Sequence, residues 1–221
     1  MTEKTNNLQV RAPEKWMSGW DNYYKKSLEK NEEELKDFAF ISHPIQCLVA
    51  GIYGKSEGLK AIDLACGDGS SACFLAKIGC NVEAIDALES AIELTKKRAA
   101  VLGLKEKLHA EIKNIDGWDF TSESYDIIIA TQCLQYLFER AIPRLQEIKE
   151  AIKPGGFIVY SGNILPHFET DPPMKFITKE ELVEIFHGWT LYSIGTDERL
   201  LRPTDRRGYV WIVAQKAPKD E

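Results

Sequence analysis

The stretch A-I-D-L-A-C-G-D-G-S-S, residues 61–71, decides the fold. An apolar run carries an aspartate, Asp63, and then opens into two glycines, Gly67 and Gly69, with Asp68 between them. Residues of helical spacing follow. The pattern is a strand-to-helix junction with bare backbone at the turn, where open α/β sheets bind ligands. Glycine at such a turn takes conformations closed to other residues and lets a ligand approach the main chain. Gly67-x-Gly69-x-x-Ala72 also fits the dinucleotide fingerprint G-x-G-x-x-G/A, and that fit alone does not choose a cofactor.

Working outward, apolar strands are expected at 60–65, 81–87, 108–114, 125–130 and 157–161. Helices are expected between them at 70–79, with Gly79 as C-cap, at 88–104, where Leu88, Ile92, Thr95, Ala99 and Leu102 share a face, and at 140–153. Pro143 belongs near the first turn of that last helix, and the Pro-Gly-Gly of 154–156 is expected to end it. Strands alternating with helices imply parallel β-α-β units. The tail differs. Thr178 and Glu181 form a capping box opening a helix at 179–186, and strands at 189–194 and 209–215 follow with only a loop, 195–208, between them. The expected fold is α/β: a Rossmann-like, doubly wound, mostly parallel seven-stranded sheet. It has an antiparallel C-terminal strand pair and helices on both faces. One domain covers 1–221, as an N-terminal helical cap (1–55) and a Rossmann-like core (56–221).

Composition narrows the partners. The 221 residues carry a net charge of −6, which argues against a broad phosphate-binding face and so against nucleic acid. No apolar run is long enough to span a membrane, and residues 1–16 lack a signal-peptide core. The five cysteines form no C-x-x-C pair and read as free thiols in a reducing cytoplasm, with no metal site.

Two carboxylates bear on the cofactor. Asp63, just before the glycine loop, is a poor neighbour for pyrophosphate and a good one for an ammonium-bearing ligand. Asp86 ends the second strand, 19 residues after Gly67, where a carboxylate accepts from both ribose hydroxyls. That position serves nicotinamide and sulfonium nucleosides alike.

D-L-A-C-G-D-G at 63–69, Asp86, Y-D-I-I-I-A-T-Q-C-L-Q-Y-L at 125–137 and L-Q-E-I-K-E-A-I-K-P-G-G-F-I-V-Y at 145–160 together resemble class I S-adenosylmethionine-dependent methyltransferases. The resemblance runs from residue 60 to about 215. The ending, 174–205, is similar to the tellurite-resistance branch of that family, close to the thiopurine methyltransferases. The resemblance implies S-adenosylmethionine as cofactor and methyl transfer to a small-molecule acceptor. It implies that Asp63, Ala65, Cys66, Gly67 and Gly69 hold the methionine part, with Ala65 where the family often has glycine. Asp86 would bind the ribose, flanked by Ala87 and Leu88. Asn114 would meet the adenine amino group, with Asp116 as competitor, and Ile115 would pack on the ring. Ala130 and Thr131 would face the reacting sulfur.

The acceptor site is expected from 16–24, 162–176 and 198–208. His167 is a candidate base, weighed against a solvated loop histidine. Arg202, with Arg199, Arg206 and Arg207, is a candidate anion binder, weighed against a solvated loop. The tellurite-resistance branch has a histidine beside the arginine matched to Arg202, and Leu201 stands there instead. Trp16, Trp20, Tyr23 and Tyr24 either cap the pocket or pack on the sheet. A monomer or homodimer is expected. Two other readings compete: a nicotinamide-dependent oxidoreductase and a non-catalytic S-adenosylmethionine-binding module.

Overall fold

The computed structural model describes residues 10–11, 13–37, 42–165, 169–202 and 205–219, with the backbone alone at 10–11, 169, 199–202 and 205–207. After a two-residue strand (Val10–Arg11), which pairs in parallel with Glu169–Thr170 apart from the main sheet, three helices follow: α1 (Pro13–Ser27), α2 (Glu32–Lys36) and α3 (His43–Ile52). Alternation then begins with β1 (Lys60–Leu64), α4 (Ser70–Lys77), β2 (Asn81–Asp86), α5 (Glu89–Val101), β3 (Leu108–Ile112) and β4 (Tyr125–Thr131). A 3-10 segment (Leu134–Arg140) leads into α6 (Ala141–Glu150) and β5 (Ile152–Asn163). The chain closes with α7 (Lys179–Ile185), β6 (Thr190–Arg202) and β7 (Asp205–Gln215).

The seven strands lie in the order β3-β2-β1-β4-β5-β7-β6. Those from β3 to β5 pair in parallel, and β7 pairs antiparallel with both β5 and β6. Strand order reverses between β1 and β4, and the crevice above that switch point is where a doubly wound sheet takes its ligand. The central strands are buried on both faces, so they read as nearly continuous apolar runs. Ile62, Leu64, Ile128 and Ala130 pack toward α6 and α7 through Leu145, Ile148 and Leu182. The alternate residues Ala61, Ile127 and Ile129 pack toward α3, α4 and α5 through Leu48, Leu75 and Ile92.

Two expectations are corrected. The Pro-Gly-Gly of 154–156 lies inside β5 and does not end the helix, since α6 stops at Glu150. Register passes from Tyr125↔Ile152 to Ile127↔Phe157, so the extra residues bulge out. Glycines allow this: Gly155 has φ +79°, and a Cβ on Gly156 would meet carbonyl oxygens of Asp126 and Lys153 at 2.9 Å. The loop expected over 195–208 is mostly strand. Pairing of β6 with β7 runs from Thr190↔Gln215 out to Arg202↔Asp205, so polar side chains ride on a long hairpin whose backbone groups satisfy one another.

Helices α1 and α2 dock on α5. Ser90 Oγ donates to Asp21 at 2.6 Å, and Lys97 Nζ donates to the carbonyls of Leu28 (2.6 Å) and Lys30 (3.0 Å). Arg98, 2 % exposed, reaches further. Its Nη1 donates to the carbonyls of Leu35 and Asp37, and its Nε and Nη2 donate to the carbonyl and carboxylate of Asp68 in the glycine loop.

Candidate active site

The loop after β1 is shaped by residues with positive φ. Ala65 (φ 53°), Gly67 (56°) and Gly69 (71°) all lie in the left-handed region. Alanine bears a cost there that glycine does not. A Cβ on Gly67 would stand 2.7 Å from the Tyr24 hydroxyl, so the bare backbone is what admits Tyr24 of α1 onto the loop. Gly69 is the N-cap of α4 and packs under Thr95.

Asp63 is 2 % exposed, and its Oδ2 has no hydrogen-bond partner among the described residues. Burial, then the nearby charge of Asp68, raises its carboxyl to about 8, against a lowering by the Ala72 N–H. An unpartnered carboxylate oxygen on a cleft wall fits an ammonium group, which supplies both the missing donor and the missing charge. Asp86 closes the neighbouring strand. Its Oδ2 accepts from the Gly67 N–H (3.0 Å) and its Oδ1 from the Leu88 N–H (2.9 Å). Burial raises its pKa, and these backbone donors oppose the rise. Both oxygens are thus aimed, and each keeps a lone pair for a diol.

Two cavities open beside these groups. The smaller, about 320 Å³, has Asp86, Ala87, Leu88, Asn114, Ile115 and Asp116 on one wall. Aromatic side chains face them: Trp16 stacks on Tyr136 with ring centroids 4.4 Å apart, and Trp20 stacks on Tyr24 at 6.1 Å. The Trp16 indole N–H is buried, with no partner among the described residues. This wall, acidic at one end and flat and apolar elsewhere, fits a nucleoside. The larger cleft, about 910 Å³, holds Asp63, Cys66 and Gly67 and continues to His43, Ser161 and Trp211. Tyr24, Ala65, Thr131 and Gln132 line both cavities, so the two meet there.

The sequence-derived site residues mostly converge. Ala130 does not: it is fully buried in the core, and Thr131 takes the wall position. The Asn114 Oδ1 accepts from the Asp116 N–H at 2.9 Å, and the Asp116 carboxylate lies 3.0 Å from Arg140. Cys66 and Cys133 are buried thiols, pushed above the ordinary cysteine value by burial, consistent with packing. The α1 aromatics line cavity walls, which resolves the choice between capping and packing. His167 lies outside the described residues, and Arg202 is described by its backbone alone, in β6. Sequence reading missed Gln132, Tyr136, Ser161, His43 and Trp211. Only Gln132 carried a signal, as the first residue beyond the end of β4.

Residues 61–156 match a family described as a methyltransferase domain. A ribosomal protein L11 methyltransferase of Campylobacter concisus is 33% identical over 135 residues, 60% of this chain and 44% of that protein. A ubiquinone biosynthesis O-methyltransferase of Colwellia psychrerythraea is 30% identical over 127 residues, 55% of this chain and 50% of that protein. The matched region thus spans about half the length of these curated relatives. The crystal structure of TehB from Haemophilus influenzae shares the fold, with a TM-score of 0.66, covering 89% of this chain and 67% of that one at 20% identity. The match sets aside the nicotinamide reading. Residues 61–156 thus match a methyltransferase domain, and the mixed seven-stranded sheet around them is the fold of solved S-adenosylmethionine-dependent methyltransferases.

Proposed function

We propose that this protein transfers the methyl group of S-adenosylmethionine to a small-molecule acceptor in the cytoplasm. The observation that carries the reading is the pair of cavities. One has the walls for a nucleoside, and the other has the unpartnered Asp63 oxygen for the methionine ammonium and space beyond it for an acceptor. A cleft of about 910 Å³ suits a small molecule. Among the described residues, no helix is long and apolar enough to cross a membrane, and no cluster of metal-ligating side chains occurs.

In this reading Asp86 accepts from the ribose, Asp63 pairs with the ammonium, and the sulfur lies near Ala65 and Thr131. Transfer is an in-line displacement with a neutral leaving group, so orientation and exclusion of water do most of the work. His167 and Arg202 belong to the acceptor side of the proposal. Replacing either with alanine should raise the acceptor KM and leave cofactor affinity unchanged. The deciding experiment is calorimetry with S-adenosylhomocysteine, followed by tritiated methyl transfer to a metabolite panel and, separately, to total RNA and protein. Label only in RNA or protein overturns the small-molecule reading. Cofactor binding with no transfer to any of the three favours the non-catalytic module.

A further inference from the structure

At the rim of the larger cleft a thiol and an imidazole stand together. Cys47 and His43 lie one turn apart on α3, and Cys47 Sγ is 3.5 Å from His43 Nε2 at the surface. Cys47 differs from the other four cysteines. Cys66, Cys73, Cys80 and Cys133 are buried, while Cys47 is partly exposed. Burial pushes the Cys73 thiol up to about 12 and the Cys80 thiol up to about 11, which keeps both protonated and inert.

The imidazole is also packed in place. Its ring meets Trp211 edge-on, with centroids 5.5 Å apart and planes at 82°. Trp211 is fixed in turn. Its indole N–H donates to Ser193 Oγ at 3.0 Å, and its six-membered ring lies over Gly195, where a Cβ would come within 2.6 Å. An imidazole nitrogen beside a thiol can take its proton as the sulfur attacks. His43 lines the larger cleft, with Ser42 and Pro44 beside it. A group attached at Cys47 therefore stands one helical turn from a wall of that cleft.

We propose that Cys47 and His43 form a thiol-exchange site that takes a low-molecular-weight disulfide of the glutathione type and carries half of it as a mixed disulfide at the cleft rim. The incoming disulfide is the oxidant. The Cys47 S–H proton goes to His43 Nε2 as the Cys47 sulfur attacks one sulfur of the disulfide. A new S–S bond forms to Cys47, the old S–S bond breaks, and its electron pair leaves on the departing sulfur. That thiolate takes the proton from His43 and departs as a thiol. Cys47 is oxidised, the departing half is reduced, and excess thiol reverses the exchange. The added group narrows the way into the larger cleft. It leaves the nucleoside cavity alone, which neither residue lines. The effect on the acceptor rests on the proposed function, and adduct formation does not.

The test uses the full chain with glutathione disulfide as probe and intact-protein mass spectrometry as readout. One adduct per native chain should form, and peptide mapping should place it at Cys47. Cys47→Ser should fold as wild type by circular dichroism and take up no adduct in that time. His43→Gln keeps a polar side chain that cannot act as the base, and its exchange rate should fall at least about tenfold. Attachment at any of the other four cysteines overturns the inference. So does exchange at Cys47 no faster than that of free N-acetylcysteine, or an undiminished rate in His43→Gln. The adduct should bind S-adenosylhomocysteine within about threefold of the unmodified chain. In tritiated methyl transfer its acceptor KM should rise at least about threefold and return on reduction with dithiothreitol. Lost S-adenosylhomocysteine affinity, or an unchanged acceptor KM, overturns the narrowing of the cleft. If the unmodified wild type fails to bind S-adenosylhomocysteine, the proposed function fails and the exchange site stands on the mass and rate measurements.

Discussion

The two cavities are assembled by different rules. Most of the smaller cavity's floor comes from residues at or just past the carboxyl ends of β1, β2, β3 and β4. The larger cleft draws His43 from α3, Ser161 from β5 and Trp211 from β7, segments distant in sequence. A nucleoside site of the first kind is written by local strand-and-turn patterns. A site of the second kind exists only once the sheet and hairpin have closed. Substitutions in the two should therefore separate cofactor affinity from acceptor KM.

The largest effect should come from Gly67→Val, which meets both the left-handed φ and the Tyr24 hydroxyl. The backbone penalty alone is about 1–2 kcal/mol. Calorimetry should show S-adenosylhomocysteine binding lost and a lowered melting temperature. Normal binding would reduce the loop to a turn. Asp86→Ala should weaken the same ligand at least about tenfold, since hydrogen bonds to a charged group contribute about 1.5–3 kcal/mol each. Unchanged affinity would remove Asp86 from the ribose. Trp16→Ala breaks the stack on Tyr136 and should weaken binding about three- to tenfold, the scale of about 1 kcal/mol for an aromatic pair. Acceptor KM should stay nearly constant, and an equal rise in it would blur the division between cavities.

Asp63→Asn sharpens the comparison through pH. Burial holds this carboxyl at about 8, above its ordinary 3.8. The folded chain therefore keeps a proton that the unfolded chain releases, and stability from this residue declines as pH climbs from about 4 to about 8. Asp63→Asn should melt higher than wild type at pH 8 and no higher at pH 4. Ligand binding goes the other way. An ammonium needs the charged carboxylate, so wild-type affinity for S-adenosylhomocysteine should rise toward pH 8. That slope should vanish in Asp63→Asn. Titrations with equal slopes would place the ammonium elsewhere.

Legibility in the sequence followed the same division. Central strands announce themselves because burial on both faces demands unbroken apolar runs, and the capping box at Thr178 and Glu181 is a local signal, realised by bonds of 2.8 and 3.1 Å. The polar half of the hairpin did not announce itself. Its residues pair through backbone groups, which leave no mark on side-chain hydrophobicity. The bulge at Gly155 mimics a helix stop because both use the same residues. Among site residues, Asp63, Gly67, Gly69 and Asp86 were legible from pattern and spacing, and those at the end of β3 only through the family resemblance. Ser161, His43 and Trp211 were not, because no local pattern distinguishes a cleft-facing residue from its neighbours.

Arg98 makes the N-terminal helices and the cofactor loop a single unit of inheritance. One buried guanidinium spends its donors on Leu35, Asp37 and Asp68 together. A chimera that imports residues 13–37 from a relative, to recast the aromatic wall, would also import or lose the carbonyls that Arg98 needs. Grafts that preserve those two carbonyl positions should keep the glycine loop's support. Grafts that do not would leave a buried charge partly unsatisfied beside the cofactor, so the wall is open to redesign one side chain at a time more readily than as a block.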